Sequence, residues 1–70
     1  MPYTEQQAWE WMLEQCIFVR LITRDGEWEC EAEILRPWKV SCMGPDRSRS
    51  RVVIECAVKL GWVEPMTEDI

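Results

Sequence analysis

Four cysteines, an alternating row of glutamates and an alternating run of arginines are the groups in this 70-residue chain with chemistry to offer. A cysteine becomes a nucleophile when a neighbouring base or positive charge lowers its pKa. The chain has no histidine, so it has no imidazole base, imidazole metal ligand or histidine pH switch. Cys16, Cys30, Cys42 and Cys56 are 14, 12 and 14 residues apart, whereas a structural zinc site favours closely spaced pairs. No metal and no cofactor is expected from these residues. Cys16, Cys30 and Cys56 fall on apolar stripes, where a free thiol behaves as a small hydrophobe. Cys42 lies near a loop and is the one cysteine left for reactivity.

Glu27, Glu29, Glu31 and Glu33 would serve acid–base catalysis only inside a cleft that shifts their pKa values. On an open sheet face beside Arg20 and Arg24 they form a solvated row. No catalytic residue is assigned, and the expected activity is binding. Arg47, Arg49 and Arg51, in the run Arg-Ser-Arg-Ser-Arg, precede an expected helix. A helix N-terminus attracts phosphate, and arginine adds bidentate contacts. The competing reading is a solvated loop that offsets an acidic body. A net charge of −5, from 13 acids against 8 bases, opposes nucleic-acid or membrane binding driven by overall charge.

These groups need elements to position them. Thr4 followed by Gln7 is a capping-box pattern that starts a helix at Glu5. Ala8, Trp9, Met12, Leu13 and Cys16 form its apolar stripe, and Trp11 falls off that stripe. Ile17 to Leu35 reads as a β-hairpin around Asp25-Gly26, a pair suited to a turn that needs positive φ twice. The turn sets the register. Arg24 then lies opposite Glu27, Ile22 opposite Glu29, Arg20 opposite Glu31 and Phe18 opposite Glu33. Trp28, Cys30, Ala32 and Ile34 face inward, paired with Thr23, Leu21, Val19 and Ile17 in that order. Pro37 stops the second strand. A third strand is expected at 38–42, with Trp38, Val40 and Cys42 inward and Lys39 and Ser41 outward, ended by Gly44-Pro45.

Residues 52–60 read as a second helix after a basic lead-in over 46–51. Its apolar stripe is Val53, Cys56, Ala57 and Leu60, and Arg51, Glu55 and Lys59 make an exposed charge ladder. Gly61 ends it in a Schellman arrangement that folds Trp62 back onto Ala57. Residues 1–3 and 65–70 are expected to fray. The result is an α+β, two-layer sandwich in the order α-β-β-β-α, with a three-stranded antiparallel meander and both helices on the Trp28/Cys30/Ala32/Ile34 face. Seventy residues allow a single domain, and such a short chain has a small margin of stability. Five tryptophans and a 47% apolar composition answer that need. With no apolar leader and no stretch near the roughly 20 residues of a membrane span, the chain is expected in the cytoplasm with free thiols.

The outer sheet face is the strongest candidate site. Phe18 and Ile22 sit there among Arg20, Arg24, Glu27, Glu29, Glu31 and Glu33, in the manner of an interface with an apolar centre and a polar rim. Phe18, Arg20, Ile22, Glu29, Glu31 and Glu33, with Trp11 nearby, are the expected contacts to a partner protein. An ordinary exposed sheet face would also carry scattered apolar residues. The same face would alternatively close a homodimer.

The order α-β-β-β-α resembles a double-stranded-RNA-binding domain. In that family, basic residues at the start of the second helix clamp phosphates, and Arg47, Arg49 and Arg51 match them by position. The Asp25-Gly26 loop is shorter than the family's groove-entering loop and lacks its histidine. In size and in its acidic, Trp- and Cys-rich composition, the chain is also similar to small orphan proteins of bacteriophages and prophages. Its run Arg51 to Gly61 is similar to the closing helix of phage α/β/α sandwich proteins. That likeness implies an inhibitor of host defence, of anti-CRISPR type, that occupies a surface of a host protein, one that handles nucleic acid for example.

Overall fold

A computed structural model describes residues 4–62. The expected tails at 1–3 and 65–70 lie outside the described residues. The elements run α1 (Glu5–Gln15), β1 (Phe18–Arg24), β2 (Glu27–Leu35), β3 (Trp38–Asp46) and α2 (Arg49–Leu60). The three strands form one antiparallel sheet in the order β1-β2-β3. The fold is α+β, with the meander between the helices in sequence.

Local signals explain the helix ends. The Thr4 hydroxyl accepts from the Gln7 amide at 3.0 Å, and the Gln7 side chain accepts from the Thr4 amide at 3.1 Å. Two orphan donors of α1 are thereby satisfied reciprocally. At the far end of the chain, Gly61 takes φ 116°, and the Trp62 amide donates to the Ala57 carbonyl at 3.0 Å. This is the expected Schellman closure, available to glycine at low steric cost. Helix α2 begins at Arg49, three residues before the expected start, because Ser48 caps it by accepting from the Arg51 amide.

The hairpin register matches the expected one from Phe18↔Glu33 through Arg24↔Glu27. Asp25 and Gly26 both take positive φ, 56° and 79°. Ile17, expected to pair inward with Ile34, instead lies just before β1 and is 61% exposed.

Two expectations about the sheet are corrected. Strand β3 continues past Gly44-Pro45 to Asp46. Two residues of β3, Gly44 and Pro45, oppose the single residue Glu29 between the pairs Cys30↔Met43 and Trp28↔Asp46. That bulge absorbs the proline without ending the strand. The facing of β3 is also the reverse of the expected one. Arg36-Pro37 makes a two-residue turn, so Trp38 pairs with Leu35, Val40 with Glu33 and Cys42 with Glu31. Trp38, Val40 and Cys42 therefore share the glutamate face and are exposed, while Ser41 opposite Ala32 is buried.

The core lies between the sheet and the helices. Met12, Cys30, Val52, Val53 and Cys56 have the largest fully buried side chains, joined by Ala8, Ala32, Ala57, Leu60 and Trp62. Full burial of a Val or Met side chain contributes roughly 1.5–3 kcal/mol, against about 1 kcal/mol or less for an exposed ion pair. The core, more than the surface charges, holds the helices on the sheet. In α1 the stripe is rotated from the expected one. Leu13 is 56% exposed, and Trp11 packs half-buried against the core instead. Helix α1 leans mainly on α2 and meets the sheet chiefly at β1.

Candidate functional site

With both helices on the Cys30/Ala32 side, the opposite face of the sheet carries no helix among the described residues. Strand alternation places Phe18, Arg20, Ile22 and Arg24 on it from β1. Strand β2 adds Glu27, Glu29, Glu31, Glu33 and Leu35, and β3 adds Trp38, Val40 and Cys42.

The exposed large apolar groups of this face are gathered at one end. Phe18, Glu33 and Val40 form one cross-strand row, and Leu35 and Trp38 form the next. Phe18 is 43% exposed, Leu35 51%, Val40 59% and Trp38 64%. Glu33 stands among them, and its carboxylate accepts from the Trp38 indole N–H at 2.7 Å. That bond fixes the ring while leaving most of its surface open. Leu35, Trp38 and Val40 were not expected on this face. The two-residue turn at Arg36-Pro37 was the available signal, because it fixes the facing of β3 once β2 is known.

The middle of the face is a charge-paired row. An Arg20 guanidinium nitrogen lies 2.5 Å from a Glu31 carboxylate oxygen, and the guanidinium carbon sits 5.7 Å from the centre of the Phe18 ring. The Cys42 thiol points at Glu31 from the other side, 3.9 Å away. Lost solvation on the sheet surface, followed by the negative charge of Glu31 and Glu29, pushes this thiol above the ordinary range. These are the reverse of the conditions that activate a nucleophile. The other end of the face, near the hairpin turn, holds a pocket of about 200 Å³ lined by Ile22, Arg24, Asp25, Glu27, Glu29 and Pro45.

Of the expected contacts, Phe18, Arg20, Ile22, Glu29, Glu31 and Glu33 do share this face. Trp11 does not. It belongs to α1 and packs against the core on the helical side of the sheet.

The arginine cluster is divided by its partners. Arg49 is 2.6 Å from Glu5 and its guanidinium carbon lies 5.3 Å from the Trp28 ring centre. Ser50 donates to the other Glu5 oxygen at 2.9 Å. Arg51 pairs with Glu55 at 3.2 Å along α2. The two contacts to Glu5 tie the starts of the two helices together. Among the described residues only Arg47 of the three has no such acid, so a phosphate here would compete with Glu5 and Glu55.

A hydrogen bond to Cys56, and after it burial, keeps the Cys30 thiol far above the ordinary range. The Cys56 thiol donates to the Cys30 and Ser41 carbonyls at 3.6 and 3.9 Å. The described residues contain no group of three metal-binding side chains, and no described helix is long and apolar enough to cross a membrane. No protein-family model, curated protein or solved structure matches the chain.

Proposed function

We propose that this chain is a small protein-binding module that blocks a host protein by covering part of its surface with the outer sheet face. The observation that carries the reading is the contiguous exposed cluster of Phe18, Leu35, Trp38 and Val40, flanked by the glutamate row. Aromatic anchors inside a charged surround are the usual composition of a binding hot spot. The acids Glu27, Glu29, Glu31 and Glu33 would steer the face toward a basic surface, such as that of a nucleic-acid-handling protein. The four free cysteines fit a reducing compartment, the cytoplasm of a bacterial host on this reading. Phage origin and an anti-CRISPR type of action belong to the same proposal and rest on size and composition.

The test is a tagged pull-down from bacterial lysate, with and without nuclease, comparing the native chain with Glu29→Lys/Glu31→Lys. A discrete protein band that survives nuclease and disappears with the charge reversal supports the reading. Retention of the band by a folded double variant removes this face from the mechanism. Recovery of nucleic acid, with bands lost to nuclease, would instead favour Arg47, Arg49 and Arg51 and the likeness to an RNA-binding domain.

A further inference from the structure

We propose that two copies of this chain pair antiparallel along their β1 edges, about a twofold axis at Leu21, to make one continuous six-stranded sheet. The proposal does not depend on what the outer face binds.

The sheet has two edges, and they differ. The β3 edge is interrupted by Pro45, which has no amide hydrogen, and by the bulge at Gly44-Pro45. Devices of this kind blunt an edge against further pairing. The β1 edge has neither proline nor bulge, and its two charges, Arg20 and Arg24, lie on the outer face. Phe18–Arg24 is a regular seven-residue strand without proline, glycine or bulge, rich in β-branched and aromatic side chains.

The two-residue turn dictates which backbone groups are open. Arg24 and Glu27 flank it as a hydrogen-bonded pair, and pairs of that kind recur at every second residue. Phe18, Arg20, Ile22 and Arg24 therefore direct their N–H and C=O groups at β2. Val19, Leu21 and Thr23 direct theirs outward, and no backbone partner for those three lies on the open side among the described residues.

Only one twofold register uses all three open residues without setting like charges opposite each other. Centred on Leu21, it pairs Leu21 with Leu21, Val19 with Thr23 and Thr23 with Val19, consuming every open donor and acceptor. The outer face then sets Arg20 opposite Ile22 and Arg24 opposite Phe18. Centring on Ile22 sets Arg20 against Arg24, and centring on Arg20 sets two guanidinium groups against each other, both destabilising. The inner side has room for the second strand. α1 touches β1 only slightly, and an open groove of about 510 Å³ lined by Trp9, Leu21 and Arg49 lies beside it. Pairing covers Val19 and Leu21, now half-buried.

Cysteine cross-linking tests the register, in a chain with Cys16→Ser and Cys42→Ser. Leu21→Cys places two thiols across the axis at a spacing suited to a disulfide. Thr23→Cys places its two thiols four residues out of register, roughly 13 Å apart. The expected result is a covalent dimer from Leu21→Cys under mild oxidation, none from Thr23→Cys, and a mixed dimer from Val19→Cys combined with Thr23→Cys. Light scattering on the unmodified chain should show a mass rising toward that of a dimer with concentration, needing no variant to fold. A monomer at the highest soluble concentration overturns the proposal. So does cross-linking through Val40→Cys in place of Leu21→Cys, which would put the dimer on the outer face.

Discussion

Trp38 and Glu33 lie on adjacent strands with the indole N–H donating to the carboxylate at 2.7 Å, on the face turned away from both helices. The ring is held in place yet 64% exposed. An aromatic side chain so placed adds little to the core and much to a contact. Trp38→Ala should lower stability by less than about 1 kcal/mol. Its effect on partner affinity should exceed about 2 kcal/mol, as for a hot-spot aromatic. Thermal melting and titration calorimetry against the captured partner measure the two separately. An affinity equal to that of the native chain would remove Trp38 as an anchor.

Ser41 is buried at 3% exposure, and its hydroxyl oxygen has no hydrogen-bond partner among the described residues. An unmet buried polar group costs roughly 1–3 kcal/mol, and alanine at this site leaves a void no larger than one oxygen. Ser41→Ala is expected to be neutral or to raise the unfolding free energy by about 1 kcal/mol, read from urea denaturation. A loss beyond 1 kcal/mol would mean that the hydroxyl has a partner in solution.

Gly44 and Gly26 separate space from conformation. Both take positive φ, but a Cβ at Gly44 would lie 2.4 Å from the Trp28 carbonyl oxygen, whereas one at Gly26 meets nothing within 4 Å. Gly26→Ala should cost about 1 kcal/mol. Gly44→Ala should cost roughly 3 kcal/mol, since β2 and β3 must part to admit it. Equal costs at the two sites would refute the close approach at the bulge.

Cys42 is the most open of the four thiols, and its raised pKa predicts low reactivity. With the proton held more tightly than in a free thiol, little thiolate exists at neutral pH. Alkylation by iodoacetamide should be slower at pH 7 than for a free cysteine. The rate should climb through the ordinary thiol range and level off only above it. Glu31→Gln should move that profile to lower pH. An unshifted profile would show that the carboxylate has no part in it.

The hairpin was legible because two independent signals agreed: Asp25-Gly26 set the register, and the Glu27-to-Ile34 alternation set the facing. Strand β3 misled because its own alternation favours the wrong side. Trp38, Val40 and Cys42 look like core residues, but the fully buried position on this strand is Ser41, next to α2. Ser41 faces Ala32 there, and Cys56 donates to its carbonyl. The turn at Arg36-Pro37 overrides the apolar pattern, at the cost of an exposed tryptophan and valine. Trp11 and Leu13 exchanged roles in α1 for a related reason: helical spacing leaves the stripe free to rotate until the partner surface is known. The pairing of Arg49 with Glu5 spans 44 positions in the sequence, so no local pattern announces it.

The outer face is unlike at its two ends. Phe18, Leu35, Trp38 and Val40 crowd one, and the charged pocket of Arg24, Asp25, Glu27 and Glu29 occupies the other. Six residues of extended strand separate Phe18 from Arg24, roughly 20 Å. Turning a bound partner end for end would press its greasy patch onto carboxylates and leave the tryptophan facing water. The face of a single chain therefore has a polarity, like a keyed plug, and a partner of the proposed kind that covers one chain would seat on it one way round.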